Sequence, residues 1–440
     1  MSNAARTLLK VLVDQRRWRY QDFERAFRRA AAQVLDEDAR NLTVSEAQFR
    51  RWTGGKVQTL PGPEACAVLE HLFGVGAAAL FDPPPSVAPE PAFNLEDEIA
   101  MTARDAQNEA AEAAATSISD ISVDQLRDDV AALARSYGSK APFDVFRQAR
   151  ELREEAEQAR SRTQVPAQAQ ELLIVAGQAC ALLATAAFDL GSLDGAKRLS
   201  RSAALYGETA RFDPLRAFAG GTLAYIAYFQ DQPAEAARLA RQAQMFTGLG
   251  DVARRRLTAI EARAFGHLGD TVSAQRALNA SEEDGPGATD DLHDGVAGEF
   301  GFSVERLAMS NSSTCLLLGN GDQAEEAAMR ALDLAAEQPA VLRSAHVIGG
   351  AAADLAAARL LRGDLDGASD ALAYVWEVPR DQRATGLLTR TARVRRALTG
   401  ERFRGAPLAG ELGERIEDFT RTSTQHQLGA GGGAVAALEA

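Results

Sequence analysis

Lysine is nearly absent from this 440-residue chain, aromatic residues make up only 6% of it, and it has three cysteines and five histidines. Each scarcity excludes something. Cys66, Cys180 and Cys315 lie far apart in apolar runs, with no CxxC or Cys/His cluster nearby, so they read as buried reduced thiols and no metal site is expected. The histidines (His71, His267, His293, His346, His426) are scattered, and there is no P-loop, HExxH, GxSxG or GxGxxG. Neither catalysis nor a cofactor is expected. No apolar run is read as long enough to cross a bilayer, and the first residues lack the order of a secretory signal. A cytoplasmic chain with no membrane partner is therefore expected. No stretch alternates apolar and polar residues with period two, which argues against strands.

What is present is an ordinary globular composition, 46% hydrophobic, with room for at least two buried cores. Abundant arginine and alanine give it the look of a GC-rich coding sequence. The net charge of −13 is unevenly spread. Residues 1–56 carry 12 Lys+Arg against 7 Asp+Glu, a net of +5, while residues 86–440 carry 36 against 51, a net of −15. The basic end is the one that suits a polyanion.

Residues 82–92, DPPPSVAPEPA, hold five prolines in eleven positions, which fits neither helix nor sheet interior and predicts a semi-rigid linker. Beyond it, apolar residues recur three and four apart; Leu126, Val130, Leu133 and Tyr137 form one such stripe. The expected fold class is all-α. A turn pattern then repeats: GSLDGA at 191, DQPAEA at 231, GDTVSA at 269, GDQAEE at 321 and GDLDGA at 363, spaced 40, 38, 52 and 42 residues. A glycine or short acid reverses the chain after an apolar helix, and the alanine lets the next helix approach closely. The longest interval contains SEEDGPGATDDLHDG (281–295), expected as an exposed loop. The paired glycines of GGTLAYIAYF (220–229) are expected to allow close helix packing.

These hairpins resemble the tetratricopeptide-like repeat family, in longer and divergent form, whose members stack into an α-solenoid with a concave groove. On that resemblance residues 93–165 are a helical connecting or capping region, 166–422 the repeats and 423–440 a flexible tail. A peptide, small-molecule or protein effector in the groove would meet polar or aromatic positions on the first-helix stripes: Tyr225, Tyr228, Arg263, Asn311 and His346. Arg263 and Asn311 suit a carboxylate or a peptide backbone.

Residues 5–81 contain four or five short amphipathic helices. In TVSEAQFRRWTGGK (43–56), Thr43 and Glu46 fit a capping box that starts a helix at Val44, and Gly54 and Gly55 stop it. Val44, Phe49 and Trp52 share one arc; Glu46, Ala47, Arg50 and Arg51 take the exposed one. The run from Val44 to Lys56, with Pro61 and LEHLFGV beyond it, resembles the third and following helices of the Cro/C1-type (XRE) helix-turn-helix family. Thr53 departs from the usual Glu, and the connection before the third helix is longer than usual.

The resemblance implies that Glu46, Ala47 and Arg51 face base edges and that Ser45, Gln48 and Lys56 lie near phosphate, with Arg50 on the same face. Arginine can read guanine bidentately, and an alanine methyl can touch a thymine methyl. Hydroxyl, amide and ammonium groups fix register on the backbone. Arg16, Arg17, Arg19, Arg28 and Arg29 are candidates for further phosphate contacts. A Cro/C1-type module joined by a proline-rich linker to helical repeats is similar in layout to actinomycete transcription regulators. This implies a double-stranded DNA operator, an effector in the repeats and a homodimer on a two-fold site. The alternative is an interaction scaffold of tetratricopeptide-like repeats with a helix-turn-helix module that does not bind DNA.

Overall fold

The structure, a computed structural model, describes residues 7–35, 42–55, 57, 59–83, 99–107, 118–283, 285–339 and 343–423. Among the described residues every regular element is a helix and no strand occurs. The chain divides into two compact units, 1–106 and 107–440. Residues 84–92 of the expected linker, 424–440 of the expected tail and Lys56 lie outside the described residues.

The first unit contains α1 (Leu8–Gln15), α2 (Tyr20–Val34), α3 (Glu46–Thr53), α4 (Pro63–Phe73) and α5 (Ala77–Phe81); residues 99–107 are also helical (α6). Its core gathers Leu9, Val13, Phe23, Phe27, Val68, Leu69 and Leu80. Three aromatic contacts tie α3 to α2: Phe49 lies 5.9 Å from Tyr20 and 4.9 Å from Phe23, and Trp52 lies 6.2 Å from Phe27, centroid to centroid. The Tyr20 hydroxyl donates to the Val44 carbonyl at 3.0 Å. Buried aromatic pairs at these separations contribute more than area alone.

The start of α3 corrects the sequence reading. Ser45, not Thr43, is the N-cap: its Oγ accepts from the Gln48 N–H at 3.2 Å, and Gln48 Oε1 accepts from the Ser45 N–H at 2.9 Å. A Ser-x-x-Gln box outcompetes the Thr-x-x-Glu one because this register leaves Val44 and Phe49 at the positions of a hydrophobic staple, both in the core.

The second unit runs through α7 (Asp120–Ser136), α8 (Pro142–Arg162), α9 (Pro166–Asp189), α10 (Leu193–Thr209), α11 (Asp213–Phe229), α12 (Pro233–Gln244), α13 (Asp251–Leu268), α14 (Thr271–Glu282), α15 (Val304–Leu317), α16 (Gly321–Glu337), α17 (Ala345–Arg362), α18 (Leu365–Trp376), α19 (Thr385–Leu398) and α20 (Pro407–Arg421). From α9 onward, sequence neighbours pack as hairpins. The odd-numbered helices also pack on one another in series, and α19 returns to α9. They form an inner ring, buried on most sides. Two of the even-numbered helices bury a single stripe of small residues: Ala196, Ser200, Ala203 and Gly207 on α10, and Ala324, Ala328, Ala331 and Ala335 on α16. This 4-3-4 spacing keeps one face against the ring and leaves charges outside.

All five recurring turns close in the same way. A residue of positive φ follows the first helix (Gly191, Asp231, Gly269, Gly319, Gly363), and the next N–H reaches back five residues. Those bonds are Ser192 to Ala187, Gln232 to Ala227, Asp270 to Phe265, Asn320 to Cys315 and Asp364 to Arg359, each 2.8–3.0 Å. This is the Schellman termination, which satisfies carbonyls that the helix end leaves free. The fourth turn sits on Gly319, so Gly321 of the GDQAEE stretch opens α16 instead of making the reversal.

Two further expectations are corrected. The 281–295 stretch is not exposed throughout. Asp290, Leu292 and His293 are buried, and a π-helical turn, Asp291–Val296, seats on α7, α11 and α13. It can be buried because Asp290 satisfies its own surroundings, accepting from the N–H groups of Gly250, Leu292 and His293 at 2.7–3.0 Å. Secondly, α9 is long and apolar enough to cross a bilayer, with a mean hydropathy of 1.8 over its best window, but most of that window is buried within the ring. The paired glycines lie where helices meet: a Cβ at Gly220 would stand 2.9 Å from Ala243 Cβ, and one at Gly221 2.9 Å from Leu257 Cδ2.

Candidate functional site

The exposed side of α3 presents Ser45, Glu46, Ala47, Arg50 and Arg51, with Gln48 partly covered. Several of these groups already have partners. Ser45 and Gln48 cap one another, and Glu46 accepts from Arg50 Nη2 at 2.6 Å, one turn along the helix. Arg51 makes no hydrogen bond or ion pair among the described residues. Of the other arginines, Arg16 packs its guanidinium 4.6 Å from the Phe73 ring centre, and its pKa falls through burial. Arg28 pairs with Glu24.

In the second unit a cavity of about 510 Å³ opens inside the ring. It is bounded by inner helices α9, α11, α13, α15 and α17 together with three irregular segments: residues 137–142, 293–303 and 382–384. The 293–303 segment is tied to α7, and 382–384 to 137–142. The Glu299 N–H donates to the Ala134 carbonyl at 2.8 Å, Arg135 Nε to Val296 at 3.1 Å, and Gln382 Nε2 to Ser139 at 3.2 Å. Gly298, at φ +61, makes the first contact possible, since a Cβ there would collide with the backbone of Ala134 and Arg135.

Tyr225, Arg263 and His346, three of the positions singled out in sequence, line this one cavity. Tyr228 and Asn311 do not. Tyr228 packs its ring on Phe229 and His267, 5.2 and 5.3 Å between centroids. Asn311 Nδ2 donates to Glu282 at 2.8 Å, tying α15 to α14. Its neighbour Ser310 occupies the inner face instead; one residue is a rotation of about 100° around a helix.

The cavity is also lined by residues that sequence reasoning passed over: Tyr137, Asp189, Arg256, Glu299 and Arg306. Tyr137 donates to Asp189 Oδ2 at 2.7 Å. Burial pushes the Asp189 carboxyl up to about 7, with Glu299 adding to the effect, and drives the Tyr137 hydroxyl well above its usual range. Arg306 and Glu299 form a forked pair at 3.0 and 3.3 Å. Arg263 donates to the Tyr225 hydroxyl at 2.9 Å and to Ser310 Oγ at 3.0 Å, while its buried Nε finds no acceptor. Arg256 donates to the Phe218 carbonyl at 3.2 Å and to Thr222 Oγ1 at 3.1 Å, its guanidinium 4.2 Å from the Phe218 ring centre.

Burial, with Arg306 nearby, lowers Arg256 to about 10. Burial and the surrounding guanidiniums lower His346 to about 3, so its ring is neutral near pH 7. Beside the cavity, Arg390 Nε meets Asp354 at 3.0 Å, and Ser313 bonds both. A signal was available for Arg256, which stands seven residues before Arg263 and so on the same helix face. No group of three or more His, Cys, Asp or Glu side chains suited to a metal occurs among the described residues. Compared with known proteins, the chain matches no protein family and no curated sequence.

Proposed function

We propose that the chain is a sequence-specific DNA-binding transcription regulator of the Cro/C1 (XRE) helix-turn-helix type, with tetratricopeptide-like repeats that hold an effector, acting as a homodimer. The observation that carries the reading is the two-sidedness of α3. Phe49 and Trp52 anchor one side in an aromatic core, while Glu46, Ala47, Arg50 and Arg51 stand outside on a capped helix. A short helix so anchored can present three or four side chains to a major groove in fixed register.

Arg51 carries base recognition, since its donors are uncommitted. Arg50 exchanges Glu46 for a base or phosphate at small cost, because exposed ion pairs contribute roughly 0.5 kcal/mol. The net charge of −15 over residues 86–440 disfavours contact with DNA outside the basic end. The five identical Schellman reversals support the repeat half of the reading.

In-vitro selection with the full chain on a random duplex pool tests it. Enrichment of a motif with two-fold symmetry supports regulation through DNA. A pool that stays random contradicts it and favours the interaction scaffold.

A further inference from the structure

We propose that the ring cavity binds one small organic anion with an apolar body, its negative group held between Arg256 and Arg263. This deepens the effector half of the reading above and rests on it only for a consequence at DNA.

Three observations carry it. The first is charge. Arg306 is neutralised by Glu299, but Arg256 and Arg263 donate only to neutral oxygens, and no carboxylate lies within ion-pair distance of either among the described residues. Two enclosed guanidiniums without counter-charge favour an incoming anion. They stand two turns apart on one face of α13, about 10 Å along its axis.

The second is chemistry of the remaining wall. Phe188, Ile226, Ile260, Met309 and Val347 are buried apolar side chains that line the same space. An apolar wall with a few convergent donors selects an amphipathic ligand. Of the acids on this wall, Glu299 is paired with Arg306, Asp294 accepts from the Asp290 N–H at 2.9 Å, Glu305 stands in the first turn of α15, and Asp189 accepts from Tyr137 and is half protonated near neutrality, so it repels an anion weakly.

The third is size. At about 510 Å³ the cavity suits a small molecule. An extended peptide finds no through-groove here, because Leu292 and Phe300 of the 291–303 insert are packed into the core formed by α7, α8, α9 and α11.

The test uses two dyes that share an aromatic skeleton: 1-anilinonaphthalene-8-sulfonate, which is anionic, and N-phenyl-1-naphthylamine, which is neutral. The expected result on the full chain is one sulfonate dye per chain, bound about tenfold or more tighter than the neutral dye. Arg256→Gln and Arg263→Gln should each weaken the sulfonate dye about tenfold and leave the neutral dye unchanged, while Arg50→Ala/Arg51→Ala leaves both unchanged. Arg263 also ties α13 to α11 and α15, so if Arg263→Gln loses its helical circular dichroism, Arg256→Gln alone decides the matter. Equal binding of the two dyes, or sulfonate binding indifferent to Arg256→Gln, overturns the proposal. No DNA enters this experiment, so its failure leaves the DNA reading intact, and failure to select an operator leaves the anion site intact.

Discussion

Thr385 Oγ1 donates to the Phe188 carbonyl at 2.8 Å across 197 residues of sequence, joining α19 to α9. This bond is part of the contact by which the row of hairpins closes into a ring. Thr385→Val keeps the shape and removes the donor, while the Phe188 carbonyl keeps the Gly191 N–H at 2.9 Å, so the cost is that of a lost hydrogen bond, roughly 0.5–1.5 kcal/mol. A lower urea midpoint for the second unit's transition, with unchanged circular dichroism, is the expected outcome.

The insert depends on one backbone position. At Gly298 a side chain meets both a left-handed φ of +61 and the α7 backbone. Gly298→Ala should cost at least about 2 kcal/mol and raise hydrogen exchange across residues 291–303, where the insert lifts from α7.

The buried pair Arg390–Asp354 offers a test of how the ring tolerates charge. Arg390 is 4% exposed and Asp354 0%. Asp354→Asn leaves Arg390 without a counter-charge and should lower stability by about 3–5 kcal/mol; Asp354→Leu/Arg390→Met should recover most of it. Denaturant midpoints of the three chains check this.

Asp189 gives the second unit a pH signature. Its carboxyl titrates at about 7 when folded and near 3.8 otherwise, chiefly because burial disfavours its charged form. The folded chain therefore holds an extra proton between those values. The resulting stability is complete below pH 4 and is lost as pH rises toward 7. His346 acts in the opposite sense. Its pKa is about 3 folded against 6.5, so its contribution is present above pH 6.5 and is lost as pH falls toward 3. The two windows overlap, so a difference isolates Asp189. The melting temperature of Asp189→Asn minus that of wild type should grow between pH 5 and pH 8.

Much of this was legible because the signals are local. Glycine or aspartate at a helix end, followed by an alanine stripe, marks each reversal from a few adjacent residues, and the stripes carry their own periodicity. The insert escaped because SEEDGPGATDDLHDG has the composition of a loop, and only the tertiary partners of Asp290 show that its polar groups can be buried. The cavity was half legible for a similar reason. Arg263 interrupts an apolar stripe and draws notice, whereas Tyr137 and Asp189 meet only after the chain has travelled 52 residues. The α3 start was misplaced by two residues because two capping boxes overlap there, and core packing chose between them.

On the proposed reading, the outer face of α3 meets DNA. Fluorescence polarisation with the duplex motif selected from the random pool, and with a scrambled duplex, checks this across a salt series. Wild type should prefer the selected duplex and weaken steeply with salt, and Arg50→Ala/Arg51→Ala should lose the preference and flatten the salt slope. Equal affinity for both duplexes, or a double variant that binds like wild type, would contradict the account.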